Sequence, residues 1–241
     1  MAQAGSPITL SIDIGGTGIK AMLLDRRGRP VSEREREKTP QPATPRRVLA
    51  VITELADRLS GFDRVSVGFP GVLIEGVVRT AANLHPAWIG QHPAELLRKS
   101  LKKPVRIAND ADMQGLGIVE GRGVELLVTM GTGIGSALFL DGRLIPNLEL
   151  GHHPFRRGQT YEQQLGDKIM KRIGRRRWNR RVSRAVELWL QTFNCRRLYL
   201  GGGNARLLYA RLPAEVKVTS NLAGLLGGIR LWNEPDPAPR R

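Results

Sequence analysis

The chain has 241 residues, 41% of them hydrophobic and 25% charged, with one cysteine and a formal net charge of +16. That length suits one sizeable domain or two modest lobes. No apolar run reaches the ~18 residues of a membrane span. The lone Cys195 excludes an internal disulfide and a cysteine-based zinc cluster, and it fits a reducing cytoplasm. With 38 Lys and Arg against 22 Asp and Glu, the chain favours a polyanionic partner (nucleic acid, membrane surface or inorganic polymer) that would offset self-repulsion.

In chain order, the first strand follows so closely on Met1 that no signal peptide is expected. Residues 8–14, 19–24 and 30–39 read as a three-stranded meander. Its third strand alternates charge (Glu33, Arg34, Glu35, Arg36, Glu37) as an exposed edge does. A Pro-rich loop leads to Thr44, expected to cap a helix with Pro45 at its first position. Val48, Val51, Ile52, Leu55 and Leu59 share one face of that helix, and Gly61 ends it. A buried strand at 64–69 breaks at Pro70-Gly71. A short helix (94–101) and a strand (105–108) follow, and the strand delivers Asn109-Asp110 to the start of a helix at 111–120. The second half restarts with a hairpin (126–140). Helices at 160–173 and 179–193 come next, then a strand (197–200) running into Gly201-Gly202-Gly203, a strand (216–219) and a last helix (222–232). The tail 233–241 reads as disordered. The plan predicts an N-terminal lobe over 1–110, with the last helix packing back on it, and a C-terminal lobe over 111–221.

The tetrapeptide Gly-Thr-Gly-Ile occurs twice, as Gly16-Thr17-Gly18-Ile19 and Gly131-Thr132-Gly133-Ile134, 115 residues apart. Each copy joins two apolar strand-like runs. A glycine hairpin tip of this kind exposes backbone N–H groups that close on an anion, and Thr hydroxyls add donors. Strands rather than helices follow, and the Lys-Ser/Thr ending is missing, so neither copy is a Walker loop or a dinucleotide fingerprint. A tight turn without ligand is the plain alternative for either copy alone. From Lys168 to Arg184 run nine basic residues and no acidic one. Lys168, Lys171, Arg172 and Arg175 have helical spacing, which predicts one basic face for a polyanion, with a merely solvated face as the alternative.

These motifs in this order resemble the ROK family of sugar kinases, within the actin–hexokinase–Hsp70 fold. The resemblance rests on Asp13-Ile-Gly-Gly-Thr-Gly-Ile-Lys20, Gln41-Pro-Ala-Thr-Pro45, Gly68-Phe-Pro-Gly71, Asn109-Asp110-Ala111-Asp112, Gly131-Thr-Gly-Ile-Gly-Ser136, Leu144-Ile-Pro-Asn147, Glu149-Leu-Gly-His152 and Gly201-Gly-Gly203. The run Gly76 to Asn83 with Trp88-Ile-Gly90 is similar to the polyphosphate-using branch. The resemblance spans about residues 8 to 232. It implies an α/β, two-lobed, duplicated actin-like ATPase (ribonuclease H-like) fold with the active site in the interlobe cleft. It implies Asp110 as catalytic base, and Asn83, Asn109, Glu149, His152 and Glu162 on the sugar. On the donor side it implies Gly15, Gly16, Thr17, Gly18, Lys20, the loop Gly131 to Ser136 (with Gly131, Thr132 and Gly133 at its tip), Gly201 and Gly202. Lys168, Lys171, Arg172 and Arg175 follow the donor further out. Asp13 would organise Mg²⁺ through water, and no zinc is implied. Phosphoryl transfer needs positioning, a base near the acceptor hydroxyl and charge neutralisation, and these residue types supply all three. The structural alternatives stand beside these roles: Asn109-Asp110 as a helix cap, Glu149 as a surface carboxylate, His152 as a core histidine, and Glu162 as an ordinary helix start. The segment His153-Pro154-Phe155-Arg156-Arg157-Gly158 departs from the small glycine turn of the family.

The expectation is a cytoplasmic kinase moving a phosphoryl group from inorganic polyphosphate, with ATP as a further donor, to the 6-hydroxyl of glucose, as a homodimer without membrane or nucleic-acid partners. An ATP-dependent hexose or amino-sugar kinase of the same fold is the nearest alternative. A sugar-responsive nucleic-acid binder is the alternative from another class.

Overall fold

The computed structural model describes residues 6–81, 83–209, 211–219 and 223–233. The tail expected to be disordered lies outside them from residue 234 on, as does residue 222 of the expected last helix. The chain forms two compact units, one running to residue 117 and resuming at 224, the other covering 118–223.

The first unit is built on β1 (Thr9–Ile14), β2 (Ile19–Leu24), β3 (Glu35–Glu37), α1 (Pro45–Arg58), β4 (Arg64–Phe69), the small ladder β5 (Leu73–Ile74) and β6 (Val77–Val78), α2 (Pro93–Leu101), β7 (Val105–Asn109) and α3 (Asp110–Leu116). Its five-stranded sheet has the order β3-β2-β1-β4-β7. β1 and β2 form the antiparallel hairpin, and β4 then β7 add in parallel. Leu10, Ile12, Val65 and Val67 of the two central strands are wholly buried against Val48, Ile52 and Leu55 of α1, each contributing about 1.5–3 kcal/mol of hydrophobic stabilisation. Thr44 occupies the N-cap position with Pro at the start of α1, yet its hydroxyl makes no capping bond. The third strand is shorter than expected, pairing only over Glu35–Glu37 after an isolated bridge at Pro30. Trp88 is fully buried, meets Phe69 edge-on at 5.2 Å and donates its indole N–H to the Ala43 carbonyl at 3.0 Å, which satisfies its one polar atom.

The helix expected at 111–120 is α3, which ends at Leu116 and belongs to the first unit rather than opening the second. The chain returns at α7 (Ala223–Leu226) and a 3-10 segment (Gly227–Trp232). The buried Ser11 and Ser66 hydroxyls donate to the Leu225 and Gly228 carbonyls, both at 2.7 Å. Trp232 donates to Ser66 at 2.8 Å, and the Arg64 and Arg106 guanidiniums lie over its ring at 4.7 and 4.8 Å. A Cβ at Gly227 would strike the Met113 carbonyl, so only glycine allows this segment to lie directly on α3.

The second unit repeats the pattern. It holds β8 (Val124–Met130), β9 (Ile134–Leu140), β10 (Arg143–Ile145), the ladder β11 (Pro154–Arg156) and β12 (Gln159–Thr160), α4 (Tyr161–Leu165), α5 (Asp167–Ile173), α6 (Arg175–Phe193), β13 (Arg197–Gly201) and β14 (Val216–Val218). The sheet order β10-β9-β8-β13-β14 matches the first sheet position for position, including the antiparallel hairpin and the two parallel additions. Two helices were expected, at 160–173 and 179–193; three form, because the first is broken at Gly166, and the last begins at Arg175, directly after Gly174. Gly174 has φ +79°, open to glycine at little cost. Arg175 therefore starts a new helix, and the face expected to carry Lys168, Lys171, Arg172 and Arg175 together is interrupted. Trp178, fully buried, fixes α6 to α4 by donating to the Leu165 carbonyl at 2.7 Å. At the start of β8, the wholly buried Glu125 carboxylate accepts from the N–H groups of Glu120, Gly121 and Arg122 and from the Tyr199 hydroxyl (2.7–3.2 Å). Four donors offset the cost of burying the charge. Burial and that bond push the Tyr199 phenol well above its usual range.

Candidate active site

In the first unit the β1–β2 hairpin closes with Gly15 N–H donating to the Gly18 carbonyl at 3.0 Å. The N–H groups of Gly16, Thr17 and Gly18 have no acceptor among the described residues. They form a tip that an anion fills. Below it, strand register sets Asp13 opposite Lys20 and Lys20 opposite Arg36. Directly paired residues share a sheet face, so a carboxylate and two cations lie in one row. The Lys20 ammonium binds the Asp13 carboxylate at 2.7 Å, and the Arg36 guanidinium lies against Gly18. Two like charges side by side are destabilising unless an anion sits over them. Asn83 packs its side chain on Gly16, and the Thr39 hydroxyl donates to the Gly15 carbonyl.

β7 ends at Asn109, and its side chain caps α3. The amide oxygen accepts from Ala111 N–H at 2.8 Å and Asp112 N–H at 3.3 Å, while the amide nitrogen donates to the Gly71 carbonyl at 3.2 Å. The capping alternative is therefore what the side chain does, at a typical value of about 1 kcal/mol. The second amide hydrogen has no acceptor among the described residues. Asp110 is the first helical residue; its carboxylate accepts from Ala111 N–H at 2.8 Å and stays partly exposed. Asn109 thus fixes the turn on which Asp110 stands.

In the second unit the β8–β9 hairpin closes one residue later in its motif, with Gly131 N–H donating to the Gly133 carbonyl at 3.0 Å. Its surroundings differ. The Glu162 carboxylate lies against Gly133 and accepts from Ile134 N–H at 3.1 Å. The Gly131 carbonyl accepts from Asp167 N–H at 2.9 Å and from the Asn204 amide at 3.4 Å. Gly202, with φ +83°, packs on the Met130 backbone. So Gly131, Gly133, Gly201 and Gly202 come together, joined by Asp167 and Asn204, which sequence reasoning missed. Thr132 and Gly133 N–H groups have no acceptor among the described residues. Ser136, read as part of the phosphate loop, is a brace: it donates to the Leu148 carbonyl at 2.6 Å and accepts from Leu150 N–H at 3.1 Å. That brace holds the segment carrying Glu149 and His152.

The Glu149 carboxylate meets the His152 imidazole at 3.3 Å. Burial raises the Glu149 pKa above its ordinary value, His152 opposes this, and the nearby Glu162 adds to it. Glu149, His152 and Glu162 are therefore one cluster of acceptors and a donor, the set that vicinal hydroxyls require. His152 is more than half exposed, so it is not a core histidine. Of the basic residues of α5, Lys171 is tied to Asp167 at 2.5 Å while Lys168 and Arg172 face solvent, as does Arg175 at the start of α6. No group of three or more His, Cys, Asp or Glu among the described residues is placed to hold a metal. No helix among them is long and apolar enough to cross a membrane.

A duplicated strand order with a glycine hairpin leading each sheet is the actin-like ATPase fold to which the ROK sugar kinases belong. The chain belongs to the ROK family, whose model matches residues 9–163. It is similar to the polyphosphate glucokinase of Mycobacterium leprae (strain TN), 36% identical over 90% of this chain and 72% of that protein. The polyphosphate glucokinase of Mycobacterium tuberculosis (strain ATCC 25618 / H37Rv) is 35% identical over 90% of this chain and 88% of that protein. Among solved structures, the inorganic polyphosphate/ATP-glucomannokinase from Arthrobacter sp. strain KM superposes with a TM-score of 0.86 at 31% identity, covering 94% of this chain and 99% of that one.

Proposed function

We propose that this protein transfers the terminal phosphoryl group of inorganic polyphosphate, with ATP as a further donor, to the 6-hydroxyl of glucose. The observation that carries the reading is the 36% identity over 90% of the chain to a polyphosphate glucokinase. Asp110 accepts the proton of the attacking hydroxyl, held in place by Asn109. Glu149, His152 and Glu162 bind neighbouring sugar hydroxyls, with Asn83 and the spare Asn109 amide hydrogen on the same substrate. The hairpin tip Gly16–Gly18 and Lys20 hold donor phosphates, as do the Thr132 and Gly133 N–H groups. Phosphoryl transfer leaves the protein chiefly these positioning and electrostatic tasks.

Mg²⁺ fits the residues present. Asp13 offers one oxygen beyond its Lys20 contact, and a cation that keeps waters and phosphate oxygens needs only one or two carboxylates. When bound, it supplies charge neutralisation on the phosphates. We place the reaction in the cytoplasm, in keeping with the single buried thiol, and read the protein as a homodimer by family likeness.

The test is kcat/KM for glucose with long-chain polyphosphate, tripolyphosphate and ATP at saturating Mg²⁺. Long-chain polyphosphate is expected to be the best donor. Full activity with ATP and none with either phosphate polymer would replace this reading by the ATP-dependent hexose kinase.

A further inference from the structure

A cavity of about 790 Å³ opens in the second unit, walled by Arg156, Arg157, Arg177, Arg180, Arg181 and Arg184. Two separate elements supply them. Arg177, Arg180, Arg181 and Arg184 have i, i+3, i+4, i+7 spacing on α6, which puts them on one helix face. Arg156 ends β11, and Arg157 stands in the turn to β12. Arg157 (φ +53°) and Gly158 (φ +69°) both take left-handed backbone, the two-residue hairpin turn that Asn-Gly ordinarily fills. A long charged side chain is held there against local preference.

Counter-charge is scarce. Arg184 pairs with Glu187 at 2.9 Å, and Arg181 donates to the Gln164 carbonyl at 3.3 Å. Among the described residues no carboxylate pairs with Arg156, Arg157, Arg177 or Arg180. Arg181 is pushed below its usual range, first by burial and then by Arg156, Arg157, Arg172 and Arg177. The fold therefore holds like charges around a hollow, a repulsion that a bound polyanion relieves. Guanidinium forks match phosphate oxygens in pairs. The aromatic ring on the wall, Phe155, already stacks on Tyr161 with centroids 4.7 Å apart. The cavity thus lacks the row of open rings on which nucleic-acid bases stack.

We propose that this cavity is a distal subsite for inorganic polyphosphate, binding phosphate units remote from the one that reacts. It rests on polyphosphate being the donor. Among the described residues none of the six arginines is bonded to the second glycine hairpin, so the subsite lowers KM for chains long enough to reach it and leaves short donors alone. It takes the place of the interrupted face of Lys168, Lys171, Arg172 and Arg175.

The test is the triple variant Arg156→Gln, Arg157→Asn, Arg180→Gln. Asn suits the left-handed turn, and none of the three positions carries an ion pair. The expected result is a rise of about tenfold or more in KM for long-chain polyphosphate, with KM for tripolyphosphate and ATP unchanged. The slope of log KM against log salt should flatten by about two, at roughly 0.7 per lost phosphate contact. Dialysis binding of long-chain polyphosphate without glucose should weaken in parallel. Equal shifts for long and short donors, or no shift, overturn the subsite. So does RNA displacing polyphosphate from the wild type more effectively than added polyphosphate does, which would mark a nucleic-acid site. If the wild type does not turn over polyphosphate, the donor reading fails on its own. The dialysis comparison then judges the cavity: equal binding by wild type and variant overturns it, and loss in the variant supports it. Should the triple variant melt early, Arg157→Asn alone, expected to raise long-chain KM about two- to threefold, carries the same comparison.

Discussion

The two Gly-Thr-Gly-Ile hairpins have the same sequence, a backbone closure onto the carbonyl of the second glycine and the same place in their sheets, yet opposite electrostatics. The first carries Lys20 and Arg36 beside its tip, with Asp13 paired to Lys20. The second carries the Glu162 carboxylate on Gly133 and Ile134, and is braced from behind by Asp167 and Asn204. A glycine tip supplies only backbone donors. Its neighbours decide what it binds, and they come from elsewhere in the chain. The first hairpin sets two cations beside its N–H groups. The second spends one donor on the Glu162 carboxylate, coupling the cluster of Glu149, His152 and Glu162 to the hairpin.

The largest effect belongs to the residue outside both hairpins. Asp110→Asn keeps shape and removes proton acceptance, so kcat should fall about 10²–10⁴-fold with glucose affinity retained, as calorimetry would show. Near-normal kcat would return Asp110 to being merely the start of α3, and the hairpins would have to be compared without it.

The hairpins themselves are separated by one variant in each. Lys20→Ala removes a charge-assisted contact of about 1.5–3 kcal/mol, so KM for every donor should rise roughly 10- to 100-fold, with glucose binding unchanged. Glu162→Gln keeps the shape beside Gly133 but weakens the bond to Ile134 N–H. It should lower glucose affinity about tenfold and move donor KM little. The reverse pattern, sugar loss with Lys20→Ala and donor loss with Glu162→Gln, would break the distinction between the hairpins.

Much of this was legible before any coordinates. Strand alternation and the glycine tips placed both hairpins, and the Asn109-Asp110 step appeared where a strand meets a helix. What stayed hidden depended on partners far apart in sequence. Arg36 read as one charge in an edge strand, because its register against Lys20 is set by pairing, not by local pattern. The break at Gly166 comes with a bond from Asp167 N–H to the Gly131 carbonyl, which helical periodicity cannot reveal. Gly174 similarly split a basic face that looked continuous, since glycine's freedom at positive φ shows only once used. The segment His153 to Gly158 was singled out as unusual, but its arginines acquired a context only when α6 was seen beside them.

The smallest effect tests the cluster on the second hairpin through its protonation. Burial, with Glu162 adding and His152 opposing, raises the Glu149 pKa above 4.5. Between 4.5 and that raised value the folded chain holds more protons than the unfolded chain. Stability therefore falls as pH rises through this window, and the deficit stays constant above it. Glu149→Gln has no charge to bury, so it should melt higher than the wild type at pH 7 and equally below pH 4.5. The carboxylate is more than a third exposed, so solvent screening limits the gain to about one or two degrees. A melting difference that does not change with pH would mean that Glu149 is an ordinary solvated carboxylate.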